Sequence, residues 1–187
     1  MDYSNYVLFC SHNKCQYTEN PDRAVFSQWR YSKFIDENGT TYNSGEQYMM
    51  YHKALLMNDH TIATKILAID IQDNTQKNES KVNYSKIKKI KDLGRSISNF
   101  NQELWDANKF DIVRKGNFLK FSQNKNLKKI LLSTGNKILV EASHYDKIWG
   151  IGLSESDAYK LCPEDFLKNG QNLLGKILMS VRDELKS

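Results

Sequence analysis

The chain has 187 residues, 27 of them basic and 22 acidic, for a net charge of +5; 40% of it is hydrophobic and 11% aromatic. That is the composition of a globular domain with its own core, and it excludes a disordered chain. No apolar run approaches the roughly 18 residues that span a bilayer, the first residues lack a secretory signal, and three cysteines make an odd number that argues against a disulfide framework.

The expectation is therefore an intracellular, cytoplasmic protein with no membrane partner. The mild positive charge permits an anionic ligand such as a phosphate, a nucleotide or nucleic acid without requiring one.

In chain order, Tyr6 to Cys10 is apolar and predicts a short strand. Tyr31 to Ile35 and Thr40 to Tyr42 flank Asn38-Gly39, a dipeptide whose members both tolerate positive φ, so a small hairpin is predicted there. Ser44 and Gln47 have capping-box spacing, in which each side chain bonds the other's backbone N–H, and open a helix to about Met57. Asp59 to Leu67 predicts a second helix.

From Ile71 to Lys91 the composition shifts to six lysines among polar residues, which reads as an exposed loop or a partly helical insertion at about 72–90. Helical spacing returns with Phe110, Val113, Phe118 and Phe121, then with Leu127, Ile130 and Leu131. Ile138 to Val140 predicts a strand and Asp146 to Leu153 a glycine-bearing loop. A last helix runs from about Gln171 to Leu185, with Gly175 admitting a close neighbour. The sum is a predominantly helical α+β single domain over residues 1–187, with a small sheet and hairpin.

Four constellations carry potential chemistry. Glu46 and Lys53 lie seven residues apart on one predicted helix, which brings them to within about 20° on one face and about 10 Å apart along the axis. The helix dipole favours an ionised Glu46 in the first turn. A ligand could sit between the two heads; ordinary surface charges would give the same pattern. The loop Asp146-Lys147-Ile148-Trp149-Gly150-Ile151-Gly152 could clamp a ring and bind a hydroxyl, or form a turn around a packed Trp. Its two glycines are not a dinucleotide fingerprint. Cys10, His12 and Cys15 lie close together, but no second Cys/His pair follows at zinc spacing, so no metal is expected. The lysine-rich stretch is either a solvated face or a sequence-blind hold on phosphates.

These pieces occur in an order that resembles the NADAR family, the YbiA-like proteins. The match runs through Phe26-Ser27-Gln28-Trp29, Asn43-Ser44-Gly45-Glu46-Gln47-Tyr48 with Lys53-Ala54, and Leu93-Gly94-Arg95. It continues through Trp105-Asp106 with Arg114, Lys120-Phe121 and Asn124, then Leu131 to Gly135 and Leu139 to Ser143. It closes with Asp146, Trp149 to Gly152, Asn172 to Gly175 and Arg182. It covers about residues 25 to 186; each motif is weak alone and the ordered set is specific. Gln47 and Met50 depart from the family's frequent His and Gln.

The resemblance implies a hydrolase that cleaves an N-glycosidic bond on a ribose-phosphate scaffold. It needs no cofactor and takes as substrate ADP-ribose on guanine bases of nucleic acid or phosphorylated early intermediates of riboflavin biosynthesis. It makes Glu46, Lys53 and Asp146 the expected catalytic residues. The expected substrate-binding set is Phe26, Ser27, Trp29, Arg95, Trp105, Arg114, Trp149, Gly150 and Asn172. Glu46 would stabilise charge on the sugar, and Lys53 would attack the opened sugar as an amine and form a Schiff base. The tryptophans would stack on a base, Asp146 and Asn172 would bind hydroxyls, and the arginines would bind phosphate. The rival readings are a module that binds ADP-ribose without turnover and a basic nucleic-acid-binding protein.

Overall fold

The computed structural model describes residues 2–10, 21–72 and 83–186. The chain forms two compact units, one of residues 28–124 and one of residues 1–27 with 125–187. Residues 73–82, with Lys77 and Lys81 of the lysine-rich stretch, lie outside the described residues, as do His12 and Cys15.

In the continuous unit, β1 (Phe34–Ile35) pairs antiparallel with β2 (Thr41–Tyr42) in the register Phe34↔Tyr42 and Ile35↔Thr41. The hairpin is where the sequence placed it, but its first strand is shorter and its turn differs. Gly39 alone takes a positive φ, of 80°, and Asn38 does not. Asp36 organises the turn instead, accepting from the backbone N–H groups of Asn38 and Thr40 at 2.9 Å each.

Helix α1 (Gly45–Leu56) starts at Ser44, whose hydroxyl accepts from the Gln47 N–H. The reciprocal half of the capping box is absent. Gln47, fully buried, accepts from Asn43 N–H at 2.8 Å and donates to the carbonyls of Ile66 and Ile69 at 3.0 and 2.9 Å. It thus ties the start of α1 to the end of α2 (His60–Leu67), itself capped by Asp59. The residues from Gly45 to Met50 are all buried, so the first half of α1 is enclosed on every side.

Helix α3 (Tyr84–Arg95) begins inside the lysine-rich stretch. From Tyr84 onward the helical alternative holds: Ile87, Ile90 and Gly94, spaced three and four apart, are buried, while Lys88 and Lys89 are exposed. Helix α4 (Gln102–Gln123) starts at the Asn101 cap. Helix α1 packs against α2, α3 and α4. The closeness of α1 and α3 depends on Gly94, where a Cβ would lie 2.1 Å from the Met50 sulfur.

In the other unit, β3 (Tyr6–Phe9) pairs in parallel with β4 (Ile138–Glu141), from Tyr6↔Ile138 to Phe9↔Glu141. Helix α5 (Lys125–Ser133) precedes β4, and two one-turn helices, α6 (Glu155–Ala158) and α7 (Pro163–Phe166), follow it. The final helix α8 (Leu173–Lys186) packs on β4. Gly175 permits this: a Cβ there would lie 2.1 Å from the Leu139 carbonyl oxygen. Leu8, Val140, Ala142, Ile151, Ala158 and Phe166 form a core cluster of this unit. The architecture is α+β and mainly helical, with two small sheets. No helix among the described residues is long and apolar enough to cross a membrane.

Candidate active site

In the continuous unit the site is built on α1. Glu46 is in its first turn and 3% exposed, and its backbone N–H donates to the Gln28 carbonyl at 2.9 Å. Lys53, two turns further, is half-buried, and its Nζ donates to the Gly94 carbonyl at 2.9 Å. The same Nζ lies 4.4 Å from the centroid of the Phe100 ring and 5.6 Å from that of Trp105. Burial pushes the Lys53 pKa below the usual lysine range; the Glu46 carboxylate opposes that and the Arg95 guanidinium adds to it. Glu46, Lys53 and Arg95 therefore share one electrostatic environment at the junction of α1 and α3.

Trp105 is buried beside this lysine, whereas Arg95 is largely exposed and lies 3.7 Å from Asp92. Arg114 is half-buried on α4. Trp29 is half-buried, with Lys91 Nζ 5.5 Å from its ring centroid. Phe100 and the Gly94 carbonyl are participants that sequence reasoning did not single out. Helix periodicity carries no signal for either, because Phe100 lies between α3 and α4 and Gly94 acts through its backbone.

Gln47 and Met50, the two departures from the family pattern, face structural tasks. Gln47 satisfies backbone groups of α2 and of the segment before α1. Met50 is buried at the Gly94 contact.

In the other unit, Asp146 shapes its loop. Its Oδ1 accepts from the N–H groups of Ile148 and Trp149 at 2.9 and 2.8 Å, and its carbonyl accepts from Gly152 N–H at 2.9 Å. Gly150 is buried, and a Cβ there would lie 2.7 Å from the Glu141 carbonyl oxygen. Trp149 is half-buried. Asn172, buried and at φ 50°, has its side-chain amide committed to β4: Oδ1 accepts from Glu141 N–H and Nδ2 donates to the Leu139 carbonyl, both at 2.9 Å. It positions the strand where a hydroxyl contact was expected of it. Phe26 is 1% exposed and packs edge-on against Phe9 at 5.5 Å, as a core residue does; Ser27 is also buried.

Among the described residues, no three His, Cys, Asp or Glu side chains gather as a metal site would require. The chemistry available on the α1 face is that of a buried carboxylate and a partly desolvated amine beside aromatic rings.

Residues 9–186 match the NADAR domain. An N-glycosidase of Acanthamoeba polyphaga mimivirus is 46% identical over 188 residues, covering 98% of this chain and 98% of its own length. The chloroplastic riboflavin biosynthesis protein PYRR of Zea mays is 27% identical over 80% of this chain, a region that makes up 21% of that protein. The NMR structure of the E. coli protein YbiA has the same fold, with a TM-score of 0.67 over 98% of this chain and 86% of the other at 22% identity.

Proposed function

The chain belongs to the NADAR family, and from that premise we propose that it removes ADP-ribose from guanine bases of nucleic acid by cleaving the N-glycosidic bond. The broader class, a hydrolase of N-glycosyl bonds, rests on the N-glycosidase that matches nearly the whole chain. The observation that carries the reading is the pairing of Glu46, buried in the first turn of α1, with Lys53, held on the Gly94 carbonyl two turns on.

When the bond from C1 of the sugar to the base breaks, its electron pair goes to the base nitrogen and positive charge gathers on C1 and the ring oxygen. A fixed carboxylate stabilises that charge, and this is the role of Glu46. Lys53 supplies the amine: burial lowers its pKa, so more of it is neutral than of an exposed lysine. Its lone pair bonds to C1 as the base departs with a proton, the ring opens to an imine, and water hydrolyses the imine to free sugar and free lysine. Trp105 and Trp29 are the rings beside which a base stacks, and Arg95 and Arg114 are the guanidinium groups available to phosphate oxygens. The exposed lysines of α3 favour a nucleic-acid substrate, because they offer sequence-independent charge to its backbone.

The test is mass spectrometry of guanine-ADP-ribosylated DNA incubated with the protein and with Glu46→Gln. Release of ADP-ribose by the parent alone is the expected result; undiminished release by the variant would remove Glu46 from the mechanism. Similarity to a riboflavin biosynthesis protein favours a second reading, cleavage of early riboflavin intermediates. Turnover of those intermediates with intact ADP-ribosylated DNA would establish it.

A further inference from the structure

Phe100 stands in the segment between α3 and α4, closer to the Lys53 amine than Trp105 does: Nζ lies 4.4 Å from its ring centroid, against 5.6 Å for Trp105. The two rings differ in access. Trp105 is 7% exposed and Phe100 is 41% exposed, so of the two it is Phe100 that offers a face for a ligand to cover.

Phe100 precedes Asn101, the cap of α4, and Trp105 is the fourth residue inside that helix. This is the spacing of a hydrophobic staple, which by itself accounts for an apolar residue here. It accounts neither for the exposed ring nor for the amine over it. The segment is also fixed on both sides of Phe100. Ser98 donates from its N–H and its hydroxyl to Asp59 Oδ2 at 2.9 and 2.8 Å, and Asn101 N–H donates to Met57 Sδ at 3.3 Å. Between them Asn99 takes a left-handed φ of 54°, which Asn tolerates better than most residues. The ring is thus tied to the end of α1, the helix that carries Lys53.

An amine attacks a carbon from about 3–3.5 Å away. The Gly94 carbonyl holds Nζ on the α3 side and Trp105 is buried, which leaves the side of the exposed ring open. A sugar carbon that approaches Nζ over that ring comes within the roughly 6 Å over which a π face attracts a cation. The face that meets an ammonium in the resting protein then meets the positive charge that gathers on C1 and the ring oxygen.

We propose that Phe100 is a catalytic residue: its ring is the platform for the sugar, and its π face stabilises the positive charge on that sugar as the bond to the base breaks. The identity of the sugar rests on the N-glycosidase reading; the contact between Phe100 and a sugar held on Lys53 does not.

Lysine and sugar compete for one face, which gives the proposal a signature. Below the Lys53 pKa the resting amine is itself a cation on the ring, so the ring favours resting and charged-sugar states alike and the two effects offset. Above it the amine is neutral, and the stabilisation of the charged sugar is felt in full. Glu46 and Arg95, the charged groups that act on this amine, stay the same when only the ring is changed.

Capture of ADP-ribose on Lys53 by cyanoborohydride, read by mass spectrometry across pH, tests this without requiring that a base be cleaved. The sugar aldehyde condenses with Nζ, loses water and takes up a proton to give a charged imine, and hydride from the reagent reduces it to a stable secondary amine. Two variants are compared with the parent. Phe100→Leu keeps an apolar staple without a π face, and Phe100 replaced by trifluorophenylalanine keeps the shape with the π face weakened. Above the Lys53 pKa both should form about three- to tenfold less adduct; below it both should converge on the parent. If Phe100→Leu does not fold, the fluorinated ring decides alone.

Equal capture by the parent and the fluorinated protein above that pKa would overturn the proposal. So would a loss confined to Phe100→Leu and equal at every pH, which is a packing effect, and so would the absence of any adduct on Lys53 in the parent. Cleavage of N-glycosides, measured separately, keeps the two readings apart. Capture with the expected pattern and no cleavage refutes only the enzymatic reading. Cleavage with capture indifferent to the ring refutes only the role of Phe100.

Discussion

Lys53 reaches from α1 to the penultimate residue of α3, where its Nζ donates to the Gly94 carbonyl at 2.9 Å. One hydrogen bond thus joins the proposed reacting amine to the end of a neighbouring helix, next to the arginine that tunes it. Burial and Arg95 lower the Lys53 pKa and Glu46 raises it. Because the neutral amine is the attacking form, kcat should rise with pH through a limb below the usual lysine range. Arg95→Gln removes a cation that lowers the pKa, so the limb should move to higher pH. A pH–rate profile of the two proteins checks this, and an unmoved limb would mean that Lys53 does not titrate in the rate-limiting step. Lys53→Met should lose turnover by about two to three orders of magnitude and yield no reductively trapped sugar adduct.

Gly94→Ala should disturb both helices that meet there. The added methyl would lie 2.1 Å from the Met50 sulfur, well inside contact distance. Overpacking of this kind costs about 1–3 kcal/mol. Urea denaturation should show that loss, and the Met50→Ala companion should recover part of it by opening the space. Additive losses in the double variant would show that Met50 is not what Gly94 accommodates.

The legible parts of the sequence were those with local signals. Asn38-Gly39 marked the hairpin, and Ser44 and Asp59 marked helix starts. The parallel pairing of β3 with β4 joins segments more than a hundred residues apart, and nothing in either strand specifies its partner. Helix α3 was half-hidden because lysines dominate its composition, while only Ile87, Ile90 and Gly94 carry the inward stripe. For the site, spacing placed Glu46 and Lys53 on one face. It could not show that Asn172 spends its amide on β4 or that Lys120 is buried, since a lysine in a helix reads as surface.

Gln47 illustrates the same limit and yields a prediction. Its side chain bonds one backbone N–H, that of Asn43, and three backbone carbonyls, those of Ile66, Leu67 and Ile69. Gln47→Ala takes that partner from the Asn43 N–H and the Ile69 carbonyl, at about 1–3 kcal/mol for each group left unsatisfied, while the Ile66 carbonyl keeps the Ile69 N–H, so a total loss of about 2 kcal/mol or more is expected in chemical denaturation. Well below the melting transition, KM and substrate preference should stay as in the parent. A changed preference with unchanged stability would return Gln47 to the substrate site.

Lys120 makes stability depend on pH in a direction that can be worked out. Unfolded, its pKa returns to 10.5; folded, it is about 7. Between those values the unfolded chain binds more protons than the folded one, so stability rises with pH across this window, by up to about 1.4 kcal/mol per pH unit. Below about 7 both states are protonated and the cost of the buried ammonium is present in full. Other groups titrate in the same range, so the informative quantity is the difference between the parent and Lys120→Met, measured by urea denaturation at about pH 7 and at about pH 9. The parent should gain on the variant as pH rises. Parallel pH curves would mean that Lys120 is not held near neutrality.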